Sequence, residues 1–188
     1  MASVVGICNR ALALIGEEPI TALTDESEAA RRCELLYADT RDAVLRAHPW
    51  NAAVARAELA ALSTAPAFGY AHQHSLPSDC VRLLRLKADD RRVEFKVEAG
   101  RRVLSDTTPL QVLYIKRIED PNEFDILLVD AIAARLAHDL AYALAGSASL
   151  AGQMWEIYQR KLVEARKADA QEGTAEQLQA DEWLDARF

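Results

Sequence analysis

The chain has 188 residues, enough for one domain with a buried core and too few for two large ones. It is 51% apolar but only 6% aromatic, and its richness in alanine predicts closely packed helices rather than an aromatic-rich β sandwich. A formal charge of −7 gives no general attraction to phosphate backbones, and three widely spaced cysteines, Cys8, Cys33 and Cys80, fit reduced thiols better than a disulfide framework. The first 16 residues lack the basic start, apolar run and cleavage site of a signal peptide. No apolar stretch reaches the roughly 20 residues of a bilayer span, so neither a secretory leader nor a membrane helix is expected.

In chain order, Val4, Cys8, Ala11, Leu12 and Ile15 recur at helical spacing before Gly16, a natural stop, and predict a first helix over 2–16. Asp25 or Ser27 caps a second helix over 26–47, whose stripe is Ala29, Cys33, Leu36, Thr40, Val44 and Ala47 and which Pro49 ends. These two are expected to form an antiparallel hairpin. From 50 to 117, Pro66, Gly69, Pro77, Gly100 and Pro109 separate short runs at 81–86, 93–97 and 111–115, the pattern of a small antiparallel sheet. Trp50, at the switch from helix to sheet, is expected to be a large core anchor. Residues 122–145 return to helix, apolar nearly all round apart from Asp130, Arg135, His138 and Asp139, and so central and buried. After Gly146 and Ser147, the residues Met154, Trp155, Tyr158 and Leu162 mark a fourth helix over 148–171 that turns polar beyond Ala165, its end expected to project. The fold class is therefore α+β: a four-helix assembly from N- and C-terminal helical pairs, with a small inserted antiparallel β-sheet and an extended C-terminal tail. Residues 1–171 form a single domain and 172–188 a docking tail, with Cys8, Leu12, Cys33, Trp50, Leu140, Trp155 and Tyr158 in the core.

His138 and Asp139 form the doublet found in metal-dependent hydrolases, but such a site needs further His and Asp ligands from neighbouring helices. The plainer reading is a core-edge histidine with a local hydrogen bond or ion pair. His72 and His74 share one face of a strand near Cys80 and offer zinc ligands, but residues 75–79 intervene and no fourth ligand is specified. Cys8 and Cys33 fall on apolar stripes, where a thiol packs as a small hydrophobe and lacks an activating histidine. Glu17 with Glu18, and Asp89 with Asp90, lie in turns where solvated charge is ordinary. The seven glycines make no phosphate loop. No catalytic, cofactor or metal residue is assigned, and an enzyme is not expected. A helical regulatory or interaction protein is the other alternative, but one that grips DNA through its first helices would need a basic exposed helix that this sequence lacks.

Charge is segregated along the chain. Residues 79–102 carry eight basic and five acidic side chains, and residues 164–188 carry three basic and seven acidic ones. Arg82, Arg85, Lys87, Arg91, Arg92, Arg101 and Arg102 are read as an inter-subunit electrostatic surface on the sheet, complementary to the acidic helix end and tail of another copy. The alternative is two solvated faces, since exposed ion pairs are each worth only about 0–1 kcal/mol. Trp183, Leu184, Arg187 and Phe188 form an apolar and cationic tip in an otherwise polar stretch, the composition of an interface hot spot.

Ile7, Cys8, Asn9, Arg10, Ala11 and Leu12, followed by Ile15 and Gly16, resemble the opening of podovirus tail tubular protein A, the phage head-to-tail adaptor or connector family. Asp25, Ser27, Ala30, Cys33, Tyr37, Arg41, Leu45, Arg46, Pro49 and Trp50 are similar to that family's second helix and its exit. Gly69, Tyr70, Leu76, Pro77, Asp79, Cys80, Val81 and Arg82 resemble its mid-chain signature, and Val112, Tyr114 and Ile115 its last strand. Ala52 and Ser75 stand where the family usually has aromatics. The resemblance spans nearly the whole chain and rests on the order and spacing of many small motifs. It implies a virion protein made in the bacterial cytoplasm: one subunit of a closed ring of about twelve copies between the portal protein and the tail nozzle, with a free monomer compatible with assembly only on the partner. Double-stranded DNA would pass through the bore without specific binding, so an acidic chain with few phosphate contacts suits it. The tip at 183–188 would fasten to the portal or a neighbouring subunit, the alternative being that it folds back on its own domain, with no cofactor and no membrane involved.

Overall fold

Each helix begins and ends at a residue whose chemistry supplies what the helix backbone leaves unpaired. The structure, a computed structural model, describes residues 2–88 and 91–172, without the side chains of residues 88, 91 and 92. Helix α1 (Val4–Ile15) starts where Ser3 Oγ accepts from the Gly6 N–H at 3.0 Å and stops at Gly16, whose φ of 78° only glycine adopts without strain. Of the two candidate caps for α2 (Glu28–Ala47), Ser27 takes that place, its Oγ accepting from Ala30 N at 3.1 Å. Asp25 instead accepts from the N–H groups of Thr21 and Ala22 and fixes the approaching turn, which holds its carboxyl below the usual range. Asp125 caps α3 (Ile126–Ala145), and Ser147 caps α4 (Ala148–Asp169) just after Gly146 closes α3. Helix α3 packs against all three of the others. Ala131, Ile132, Ala133, Ala134, Leu136, Ala137, Leu140 and Ala141 are all buried, their small side chains allowing close approach on several sides.

Between α2 and α3 the chain builds two antiparallel sheets where one was expected. Strands β1 (Val54–Leu59), β2 (His72–Ser75), β3 (Cys80–Ala88), β4 (Arg91–Arg92), β5 (Lys96–Glu98), β6 (Arg102–Ser105) and β7 (Leu110–Lys116) sort into orders β1-β7-β3-β4 and β2-β6-β5. Period-two alternation gives the larger sheet two unlike faces. Leu59, Leu86, Leu110, Val112 and Tyr114 face a second small core shared with Val103 of the smaller sheet. On the other face Val54, Ile115 and Leu84 join the helical core. Further along that face the rows become Arg56, Leu113, Arg85 and then Glu58, Gln111, Lys87, in register across β1, β7 and β3.

Cys8, Leu12, Cys33, Trp50, Leu140 and Tyr158 are buried, but Trp155 corrects the expectation for it at 39% exposure. The inward stripe of α4 is Met154, Tyr158, Leu162 and Ala165. Trp155 sits about 100° round the helix from Met154 and lies across the α3–α4 seam instead. There it meets His138 with ring centroids 5.0 Å apart and the Arg135 guanidinium 5.2 Å from its centroid. The end of α4 does not project either, because Asp169 in its last turn accepts from Asn51 N at 2.9 Å.

Candidate functional site

The polar groups that the sequence singles out are mostly spent on holding elements together. Asn9 lies on α1 and reaches over to the loop before α2, where its amide accepts from Ile20 N and donates to Ile20 O, both at 2.9 Å. Arg10 pairs with Asp130 of α3, which also takes Lys161 Nζ of α4 at 3.4 Å. Tyr114 donates its hydroxyl hydrogen to Asp79 at 3.3 Å, joining β7 to the turn before β3. Cys8 and Cys33 are buried side by side; the neighbouring sulfur and burial push the Cys8 thiol up, so it is a poor nucleophile at neutral pH.

The end of α2 is where the helices meet the sheet. A helix leaves its last four carbonyls without internal partners. Here Val44 O accepts from Trp50 Nε1 at 3.0 Å, Arg46 O from Arg82 Nη1 at 3.2 Å and Ala47 O from Arg166 Nη2 at 2.8 Å. Arg46 returns the contact by donating to Val81 O of β3 at 2.6 Å. Two of these donors are guanidinium groups, whose charge also suits the negative end of the helix dipole. The last turn of α4 is clasped to the same point. Asp169 accepts from Asn51 N at 2.9 Å, its other carboxylate oxygen lies 3.2 Å from His48 Nε2, and its carbonyl accepts from Asn51 Nδ2 at 2.6 Å. Thus Asp169, counted by sequence among the acidic surface charges, is an internal latch.

Of the seven cations read as one surface, the five whose side chains are described fall into two groups. Arg82 caps α2 as described. Arg101 has a φ of 60°, and its Nη2 donates to Pro77 O at 2.7 Å and Cys80 O at 2.6 Å, stitching the β5–β6 turn to the turn before β3. Arg102 donates to Gln73 Oε1 at 2.8 Å. The side chains of Arg91 and Arg92 lie outside the described residues, as do Trp183, Leu184, Arg187 and Phe188. Arg85 and Lys87 do come together, with a cation that sequence reading missed, Arg56. They line a cavity of about 480 Å³ on the outer face of the larger sheet, with Glu58, Gln111 and Leu113. The signal for Arg56 was the alternation Val54, Arg56, Glu58 against Ala55, Ala57, Leu59, which marks a strand that its two alanines disguise.

The hydrolase doublet is engaged elsewhere. His138 Nδ1 lies 2.9 Å from Ala151 O on α4, and Asp139 accepts from Thr40 Oγ1 of α2 at 3.0 Å and from Arg135 Nε at 3.2 Å. These contacts tie α3 to its neighbours. His72 and His74 have ring centroids 6.4 Å apart, and among the described residues no group of three or more His, Cys, Asp or Glu side chains is placed to hold a metal ion.

His74 is fully buried at 0% exposure and neither ring nitrogen has a hydrogen-bond partner. Burial holds its pKa below the usual histidine value, His72 adds to that, and the Val103 backbone offsets part of it. Burial also lowers His48, though Asp169 opposes the effect. A histidine with a depressed folded-state pKa binds fewer protons than in the unfolded chain, so its contribution is intact above about pH 6.5 and is lost as pH falls below that. Denaturant midpoints are therefore expected to drop between pH 7.5 and 5.5, with a slope of at most about 1.4 kcal/mol per pH unit for each such group. His74→Leu should flatten that drop, and a wild-type slope in the variant would refute this role for His74.

No model of a known protein family matches the chain, and no curated protein matches it.

Proposed function

We propose that this chain is a structural connector: a subunit of a ring between the portal protein and tail nozzle of a short-tailed phage or prophage, through which genomic DNA passes. The observation that carries this reading is where the residues behind the adaptor resemblance fall. Asn9, Arg10, Arg46, Trp50, Asp79 and Arg82 are each hydrogen-bonded or ion-paired to a backbone or side chain of another element or turn, and Asp25 fixes its own turn before α2. Their bonds hold the framework together. Such a pattern suits a protein selected to hold shape while its outer faces meet neighbours.

Charge supports the same reading. Arg56, Arg85 and Lys87 place a cationic patch on the outer sheet face of a chain whose net charge is −7. In a head-to-tail ring every copy presents both its cationic and its acidic surface to a neighbour. The acidity elsewhere keeps phosphate contacts few, which lets DNA slide.

Electron microscopy and native mass measurement test the proposal, on the concentrated protein alone and on its mixture with the portal ring of the same phage or prophage. Closed rings of one stoichiometry, seated on the portal, are the expected result. Only monomers with the portal present, at concentrations where the portal itself is intact, would overturn it.

A further inference from the structure

We infer that neighbouring copies of this chain join by a knob and a socket: the loop tip that carries Phe68 on one copy seats in the apolar groove between α1, α3 and α4 of the next. The inference names the contact between subunits, and rests on the connector reading only for the closing of such contacts into a ring.

The knob is held out in solvent by its own loop. Residues 59–78 contain no Asp, Glu, Lys or Arg, in a chain that is 27% charged. The connection between β1 and β2 is pinned at its base, where Leu62 N donates to Gln73 O at 2.8 Å, the Gln73 side-chain amide donates to Thr64 O, and Ala71 N donates to Asp106 Oδ1 at 2.8 Å. Beyond these bonds the tip 65–70 turns at Gly69, whose φ is 91°, and leaves Phe68 88% exposed. An aromatic side chain on a fixed backbone has little freedom to lose on binding, which is how interface anchors work. The socket is a groove of about 370 Å³. Leu14 of α1, Ala133 and Ala134 of α3 and Ile157 of α4 give it apolar walls, and Leu14 is itself exposed. Its rim charges are engaged: Asp130 takes both Arg10 and Lys161, and Lys161 also meets Glu164 at 3.6 Å. With its cations so engaged, the groove favours an uncharged apolar occupant over an acidic or phosphate-bearing one. Phe68, being exposed, does not occupy the groove of its own chain. Knob and socket are different surfaces, so the contact is head-to-tail, and each copy can enter one neighbour and receive another, as a ring requires. A phenylalanine buries about 150–250 Å² when enclosed, far short of the roughly 1,000 Å² of a stable interface. Single pairs are therefore short-lived, and the contact accumulates where many copies are held side by side.

Mixed cross-linking of the full chain tests this. Ala67→Cys puts a thiol beside the knob and Ala13→Cys one at the groove, both at exposed positions and with no change of charge, while the native cysteines are buried. A short bis-maleimide is applied to the two single variants mixed, at high concentration alone and together with the portal ring of the same phage or prophage. The mixture is expected to give dimers that pair one variant with the other, with little product from either variant by itself. A chain carrying both cysteines should instead give a ladder of dimers, trimers and longer products, since head-to-tail contacts propagate. Phe68→Ser and, separately, Leu14→Glu should each cut the yield about tenfold or more while circular dichroism stays unchanged, both side chains being exposed in the free chain. The contact is overturned by product only between like variants, by no product with or without the portal, or by a yield indifferent to both substitutions. It is equally overturned by an intrachain product in the double-cysteine chain, or by transfer of the Ala67→Cys cross-link to the portal. Rings seated on the portal without the mixed product would sink the socket and leave the connector reading standing. Mixed product without attachment to the portal would do the reverse.

Discussion

Replacing Trp50 by alanine is expected to remove about 3–5 kcal/mol of stability. Trp50 is 2% exposed, and its indole fills the corner between α2, the start of β1 and the last turn of α4. Its removal would leave a cavity too large for its neighbours to close, and would also free Val44 O at the end of α2. His48, whose ring meets the indole edge-on with centroids 4.8 Å apart, would lose the contact that orients it toward Asp169. Two variants separate the contributions. Trp50→Phe keeps most of the apolar bulk and loses the indole N–H, so it should cost about 1–3 kcal/mol through the orphaned carbonyl and the smaller ring. Asn51→Ala removes only the side-chain bond to Asp169 O and should cost about 1 kcal/mol or less. Urea or guanidinium unfolding followed by far-ultraviolet circular dichroism measures all three. Since single domains are commonly stable by about 5–15 kcal/mol, Trp50→Ala should remain folded in buffer but with a sharply lowered midpoint. A loss under about 1 kcal/mol would mean that the helix-sheet junction is not a structural centre.

What the sequence made legible, and what it hid, divides by the range of the interactions. The four helices could be read because their stripes repeat at helical spacing and because Ser27, Gly16 and Gly146 act on backbone groups within a turn. The punctuation of 50–117 by Gly and Pro located the sheet region, but strand partners depend on residues up to 61 positions apart, as Val54 with Ile115 shows, and nothing local encodes them. Hence the second sheet and Arg56 went unseen. Long cationic side chains were hidden in another way. Arg82, Arg101 and Arg102 look like surface charge in a sequence, yet their guanidinium groups reach carbonyl or amide oxygens that only the fold brings near. Trp155 misled for a third reason. Adjacent Met154 and Trp155 are both apolar, but only one of two neighbours on a helix can face the core, and the longer ring took the seam.

Ending the chain after Gly173 should leave the domain intact while abolishing its attachment to the portal. The buried residues of both cores run from Ile7 to Ala165, and the final latch, Asp169 on Asn51, also precedes the cut. Thermal midpoints of the truncated and full chains are therefore expected to agree within a few degrees, because the apolar burial that stabilises the domain precedes the cut. Binding is another matter. In interfaces a few aromatic and arginine anchors carry most of the energy, each costing about 2 kcal/mol or more when removed, and the segment 183–188 holds Trp183, Arg187 and Phe188 together. Loss of two such anchors corresponds to weakening by about a thousandfold, enough to turn stable particles into no detectable complex. Co-sedimentation with portal rings reads this out, and the double variant Trp183→Ala with Phe188→Ala on the full-length chain should reproduce it. If the truncated chain still seated on the portal with near-normal affinity, the tail would be dispensable and the fastening surface would lie on the domain itself. The outer sheet face of Arg56, Arg85 and Lys87 would then be the place to change next. Global unfolding of the truncated chain would overturn the premise that the domain ends before the tail, because it would require an apolar contact from 174–188 that the two cores need.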